Sequence, residues 1–170
     1  MRIVPATPAD ARAVADVHVR TWRAAYRGIV ADAYLAALSV DQRETTWRAA
    51  IEAGTPELLV AKVGAIVAGW ISFGPCRDDG AGARVGEIWA LYVAPEFWSS
   101  GVGRSLWLAA RENMVKEGYQ RVSLWVITSN RRAIKFYSAA GFAAEPGSTK
   151  SFTLGGKSLK ETRYAAALGD

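Results

Sequence analysis

The chain is poor in the residues that build most reactive centres. Cys76 is the only cysteine among 170 residues, so neither an intramolecular disulfide nor a cysteine-rich metal site can form. Nothing around Cys76 in its loop would activate the thiol. His18 is the only histidine, which excludes a multi-histidine metal site and argues against a Ser-His-Asp device. It falls on the apolar face of a helical segment, where a hydrogen-bonded, partly buried ring is the expected state. The net charge is +5, yet the longest basic run is the pair Arg131-Arg132, so the cluster that nucleic-acid binding needs is missing. No apolar run approaches the length of a membrane span, and the N-terminus has no charged-then-apolar leader pattern. Internal repeats and low-complexity segments are absent too. The expectation is a cytoplasmic protein in a reducing compartment, with no metal, no nucleic-acid partner and no membrane partner.

What is present is a globular composition, 51% hydrophobic and 22% charged, at a length that fits one domain over residues 1–170. Seven tryptophans are many for this size; some belong to the core, and an excess also suits a cleft that grips a ligand.

Periodicity lays out the elements. Arg2 to Val4 is a short β-branched stretch ended by Pro5. Thr7, Pro8 and Asp10 spell a helix start, and Val14, Val17, Trp22 and Ala25 follow at helical spacing. A second helical region, 31–53, breaks near Ser39, where Ser39 and Asp41 can restart it. The β-rich runs 57–63 and 66–73 flank Gly64 as a hairpin, 75–82 is a loop, and 85–93 is the next strand. A helix over 103–117, a strand over 122–126 and a helix over 130–140 stopped by Gly141 follow. Short strands at 151–154 and 158–164 meet across Gly155-Gly156. This order predicts a mixed α/β or α+β fold, with helices packed on the faces of one sheet.

The most informative stretch is Leu91-Tyr-Val-Ala-Pro-Glu-Phe-Trp-Ser-Ser-Gly-Val-Gly-Arg104. It reads as a strand end, a short loop and a helix start. Such a junction aims free backbone N–H groups and the positive end of a helix dipole at one point, a seat for a phosphate. It lacks the Gly-Lys-Ser/Thr ending of a Walker loop and the third glycine of a dinucleotide fingerprint. Gly101 and Gly103 would let the backbone approach phosphate oxygens, although a tight turn into a helix uses the same residues.

A second element, Asn130-Arg-Arg-Ala-Ile-Lys-Phe-Tyr-Ser-Ala-Ala-Gly-Phe142, follows the strand at 122–126. With it the chain resembles the GNAT superfamily of N-acetyltransferases. There a strand ending Leu-Tyr-Val-x-Pro, a loop Arg/Gln-x-x-Gly-x-Gly/Ala and an Asn-x-x-Ala-x-x-Phe-Tyr-x-x-x-Gly-Phe helix recur in this order. The resemblance implies a central mixed, mostly antiparallel twisted sheet with helices on both faces. It also implies acetyl-CoA as acyl donor, no metal, and direct transfer to a primary amine in a ternary complex. Leu91, Tyr92 and Val93 would hold the pantetheine arm as if it were another strand. Trp98, Ser99, Ser100, Gly101, Val102, Gly103 and Arg104 would surround the pyrophosphate, and Asn130, Ala133 and Tyr137 would complete the cofactor side. Arg104 and Arg131 would either add charge near the phosphates or stay solvated. Trp98 stands where the family carries Arg or Gln, so backbone donors, the helix dipole and Arg104 must supply that cradle.

Tyr137 is the candidate general acid, a phenol able to protonate the departing CoA thiolate; a core-facing aromatic is the competing reading. Glu87 is the candidate base, placed by strand alternation on the face of Trp89, Leu91 and Val93. Backbone N–H groups near Leu91 would polarise the thioester carbonyl. In this family the N-terminal helices cover the acceptor, so Trp22, Tyr26 and Tyr34, joined by Trp125, form the expected acceptor wall. The acceptor would be a small-molecule amine or a peptide, and family habit allows a homodimer. A non-catalytic acyl-CoA-binding or regulatory domain is the rival reading.

Overall fold

Strands and helices alternate along the chain in the computed structural model, which describes residues 1–169. In chain order they are β1 (Arg2–Pro5), α1 (Ala11–Ala25), α2 (Asp32–Ala37), α3 (Val40–Ala53), β2 (Glu57–Val63), β3 (Ile66–Pro75) and β4 (Val85–Val93). Then come α4 (Val102–Lys116), β5 (Arg121–Ile127), α5 (Arg131–Ala139), β6 (Ala143–Ala144), β7 (Lys150–Leu154) and β8 (Lys157–Ala167). The strands form one eight-stranded sheet, ordered β1-β2-β3-β4-β5-β8-β6, with β7 also on β8. Every strand pair is antiparallel except β4 with β5.

Local chemistry sets the helix starts. The Asp10 carboxylate accepts from the Thr7 N–H at 2.9 Å and the Thr7 hydroxyl at 3.0 Å, and Lys62 pairs with it at 2.7 Å. A single 3-10 turn over Pro8–Asp10 therefore precedes α1. Ser39 Oγ accepts from the Gln42 N–H at 3.2 Å, which restarts the chain as α3 after the short α2. Strand β6 was not expected: two residues carry no periodicity, and Ala143 and Ala144 are strand only because Ala165 and Tyr164 of β8 lie opposite.

Both faces of the sheet are covered. On one, Val102, Leu106, Ala110 and Met114 of α4 pack on Ile71, Phe73, Ile88, Val122 and Leu124, together with Tyr137 and Phe142. On the other, Val14 and Val17 of α1 pack on Val60 and Trp70, and the fully buried Trp70 indole donates to the Val14 carbonyl at 3.0 Å. Burying a side chain of that size stabilises the fold by about 3 kcal/mol, provided the indole N–H keeps a partner.

One irregularity positions the site. Strands β4 and β5 pair at Val85↔Arg121, Gly86↔Val122 and Glu87↔Ser123, and then part. Strand β5 stays paired with β8 as far as Ile127↔Glu161, and β4 stays on β3 as far as Gly69↔Val93. A notch opens between them at the C-terminal end of β4.

Candidate active site

The edge of β4 that faces the notch has a defined polarity. In an antiparallel ladder, successive residues turn their N–H and C=O groups to alternate sides. The Ala94 N–H donates to Ala68 of β3 at 2.9 Å, so Leu91 and Val93 point their backbone groups into the notch. The Val93 carbonyl is already used: it accepts from Trp98 Nε1 at 2.8 Å and from the Thr21 hydroxyl at 3.1 Å. Leu91 presents its backbone to the notch beyond the last parallel pair.

The loop after β4 alternates in backbone sign. Trp98 is extended, Ser99 has φ 60°, and Gly101 has φ 89° at the N-cap of α4. This alternation folds successive N–H groups toward one concavity. The first bond within α4 runs from the Ser105 N–H to the Gly101 carbonyl at 3.0 Å, which leaves the N–H groups of Val102, Gly103 and Arg104 unpaired. The Ser100 hydroxyl turns back onto the Phe97 carbonyl. A Cβ at Gly101 would touch nothing within 4 Å, whereas one at Gly103 would meet Phe136 Cε2 at 3.2 Å, where α4 packs on α5.

Helix α5 closes the notch from the other end. Asn130 caps it, with Oδ1 accepting from the Ala133 N–H at 3.2 Å, and the Asn130 amide beside Tyr26 favours the ionised phenol there. Burial outweighs that effect and raises the Tyr26 pKa. Tyr137 is 8% exposed, with its ring against Phe136 and Phe142 at 5.2 and 5.5 Å between centroids. Burial, helped by Tyr26, holds its phenol well above the ordinary tyrosine range. The placement is that of a core-packed aromatic at the second turn of α5.

Glu87 sits elsewhere than alternation puts it. Ala90 lies opposite Ser72 and Ile88 opposite Phe73, so Trp89 is an unpaired bulge residue that shifts the face by one. Ile88, Leu91 and Val93 face α4, while Glu87 shares the opposite face with Ala90 and Tyr92. Its carboxylate, 2% exposed for the residue, accepts from Arg77 Nη2 at 2.6 Å, from the Arg77 N–H at 2.8 Å and from Nε at 3.2 Å. Arg77 in turn stacks on Trp89 at 4.2 Å.

Of the four aromatic residues expected at the acceptor, three come together. The ring centroids of Trp22 and Tyr26 lie 4.7 Å apart, those of Trp22 and Tyr34 6.3 Å, and Phe152, Leu154 and Leu159 of the β7–β8 hairpin pack on the group. The hairpin approaches so closely that a Cβ on Gly155 would lie 2.7 Å from Tyr34 Cβ. Trp22 Nε1 is buried without a formed hydrogen bond; it lies near Tyr92, whose phenol burial holds well above the ordinary tyrosine range, with Trp22 opposing that shift only in part. Trp125 stands apart on β5: it donates to Asp78 Oδ1 at 3.0 Å and carries Lys150 Nζ over its ring at 3.9 Å.

His18 is buried among Trp22, Trp47, Trp70 and Tyr92, and its Nδ1 accepts from Trp47 Nε1 at 3.0 Å. Burial, with Arg43 adding, pushes its pKa down to about 3, so the ring is neutral and structural. Cys76 lies 3.5 Å from the Ser123 hydroxyl. Among the described residues no group of three His, Cys, Asp or Glu side chains is placed to hold a metal ion, and no helix is long and apolar enough to cross a membrane.

Sequence reasoning passed over Arg77, Asp78 and Arg132. The only signals were an Asp-Asp-Gly turn and an Arg-Arg doublet, neither of which names a partner.

Comparison with known proteins bears on the same region. The model of the acetyltransferase (GNAT) family matches residues 19–142. The uncharacterized N-acetyltransferase YuaI of Bacillus subtilis is 32% identical over 152 residues, covering 89% of this chain and 84% of that one. The fold is similar to that of ribosomal-protein-alanine N-acetyltransferase from Brucella melitensis, with a TM-score of 0.77, 20% identity, and 98% and 99% of the two chains covered. It is also similar to YncA of Salmonella typhimurium, solved with acetyl-CoA, with a TM-score of 0.76, 21% identity, and 100% and 95% covered.

Proposed function

The chain belongs to the acetyltransferase (GNAT) family, and from that premise we propose that it moves an acetyl group from acetyl-CoA to a primary amine by direct attack in a ternary complex. One observation carries the reading: the notch between β4 and β5 is bordered by the unpaired N–H groups at the start of α4 and by the α5 segment that holds Tyr137.

The residues present fit the donor. An open strand edge at Leu91 and Val93 suits a pantetheine arm with its own amides, by strand addition. The N–H groups of Val102, Gly103 and Arg104 suit a pyrophosphate, with Ser99, Ser100 and Gly101 shaping the loop and Trp98 anchoring it to β4. Asn130 and Ala133 close that side. When bound, acetyl-CoA supplies an activated acyl group on a thiol leaving group.

The chain contributes the rest. The Leu91 N–H, aimed into the notch, polarises the thioester carbonyl and takes up charge as the amine adds. Tyr137 holds a proton at its hydroxyl at neutral pH. The burial that raises its pKa also raises the basicity of a thiolate leaving beside it, so the proton transfer stays matched. Glu87, at the last parallel pair at the base of the notch, is the proposed base; both its oxygens are bonded to Arg77, which must release one before it can accept a proton. Holding amine and thioester together supplies most of the remaining rate. Trp22, Tyr26 and Tyr34 form the acceptor wall, with Trp125 apart on β5, suited to a small amine or a peptide in the cytoplasm.

Initial rates at varied acetyl-CoA and amine test the mechanism. Double-reciprocal lines that intersect are expected for a ternary complex; parallel lines would mean an acetylated enzyme and refute direct attack. Glu87→Gln is expected to shift the acid limb of the rate profile, and an unshifted profile assigns the base to water alone.

A further inference from the structure

The loop that replaces the family's Arg or Gln with Trp98 has not lost its cation. We propose that Arg132, stacked on Trp98, is the side chain that binds the donor's pyrophosphate. The inference rests on the acetyl-CoA reading above and adds a residue to it.

The Arg132 guanidinium carbon lies 4.0 Å from the centre of the Trp98 ring. The ring is not free to move away, because Trp98 Nε1 is bonded to the Val93 carbonyl at 2.8 Å, at the lip of the notch. Trp98 is therefore a fixed platform, bonded on its edge to β4 and presenting a face to the first turn of α5. It immediately precedes Ser99, the first residue of the loop whose N–H groups converge. Helices α4 and α5 meet here as well, since a Cβ on Gly103 would lie 3.2 Å from Phe136 Cε2.

Folding gives Arg132 little reason to occupy this place. It is the second residue of α5, where the positive end of the helix dipole opposes a cation. No carboxylate pairs with it among the described residues. An exposed guanidinium held flat on an indole keeps its edge N–H groups free, and a planar fork with free edge donors is suited to bidentate phosphate recognition. The usual arrangement carries the cation on the loop itself; here the loop supplies the platform and the neighbouring helix the charge. Arg104 and Arg131 lack such a platform.

Calorimetric titration with three probes, CoA, dephospho-CoA and pantetheine, tests this without relying on turnover. Arg132→Ala is expected to weaken CoA and dephospho-CoA alike, each about tenfold, the loss of one charge-assisted contact, and to leave pantetheine unchanged. Trp98→Ala is expected to lose at least as much, because it also frees the loop from the Val93 carbonyl, and adding Arg132→Ala to it should cost nothing further. Arg132→Lys, a point charge without a planar face, should recover only part. Melting temperatures within a few degrees of the wild type certify each fold. If the wild type binds CoA and Arg132→Ala binds it equally well, the inference falls and the acetyltransferase reading stands. A loss seen with CoA but not with dephospho-CoA would move Arg132 to the 3′-phosphate and overturn the assignment to pyrophosphate. Failure of the wild type to bind CoA would overturn both.

Discussion

Acid should destabilise this protein through His18, by an amount the structure allows to be worked out. The ring is 6% exposed, four aromatic rings surround it, and its Nδ1 accepts from the Trp47 indole, so a proton on Nδ1 must break that bond in a site that cannot hydrate the charge. In the folded chain the pKa is pushed from 6.5 down to about 3. Below 6.5 the unfolded chain binds a proton that the native state refuses, so stability is complete above that value and falls as pH drops through the window toward 3. At about 1.4 kcal/mol per pH unit, the loss reaches about 2 kcal/mol at pH 5 relative to neutral solution. The comparison is His18→Asn, whose side-chain oxygen keeps an acceptor for Trp47 but cannot titrate. Loss of ring contacts should leave the variant about 1–3 kcal/mol less stable than the wild type at neutral pH. Urea unfolding of both proteins should then show the gap closing by about 2 kcal/mol at pH 5, other groups titrating equally in each. A gap that stays constant across that range would refute the neutral, buried assignment of His18.

Three further outcomes follow from named contacts. Tyr137→Phe should lower kcat by about 100-fold, the low end for a lost general acid, while the Kd for CoA by calorimetry stays within about twofold; an unchanged kcat would dispose of the acid role. Glu57, beside Glu117, has its carboxyl pKa raised from 4.5 to about 7, by the hydrogen bond to Glu117 first and burial second. The native state therefore holds a proton that the unfolded chain has released between those values, and stability declines as pH rises through that window. Glu57→Gln should raise the unfolding free energy in urea more at about pH 8 than at about pH 5, by roughly 1 kcal/mol after solvent screening, and equal changes would contradict the pair. Gly155→Ala combines φ +57° with a Cβ 2.7 Å from Tyr34, and should cost about 2–3 kcal/mol in urea unfolding while raising the KM for the amine.

What the sequence made legible was whatever is written locally. Ser39 breaking a helical run, Gly141 ending α5, and Gly155-Gly156 joining β7 to β8 are each a short-range choice of backbone angle or cap, and each stands where the pattern put it. The strand–loop–helix motif was legible for the same reason. What failed needed information from across the fold. A bulge at Trp89 cannot be counted from β4 alone, because only the register against β3 reveals the extra residue, and it moved Glu87 to the other face. The tight fit of Gly103 against Phe136 could not be read either, because Phe136 lies on a different helix. The stacking of Arg132 on Trp98 was not legible either, because the two lie on different elements. The aromatic cluster was partly legible: Trp22, Tyr26 and Tyr34 share the N-terminal helical region and meet, whereas Trp125 answers to Asp78 and Lys150.

The most direct test of the account is thiol release from acetyl-CoA, followed with and without a panel of primary amines, with the acetylated product identified by mass. The account predicts release that depends on the amine, with one acetylated amine formed for each thiol freed. Tight binding of CoA with no transfer to any amine across the panel would contradict it and leave a domain that holds the donor without using it.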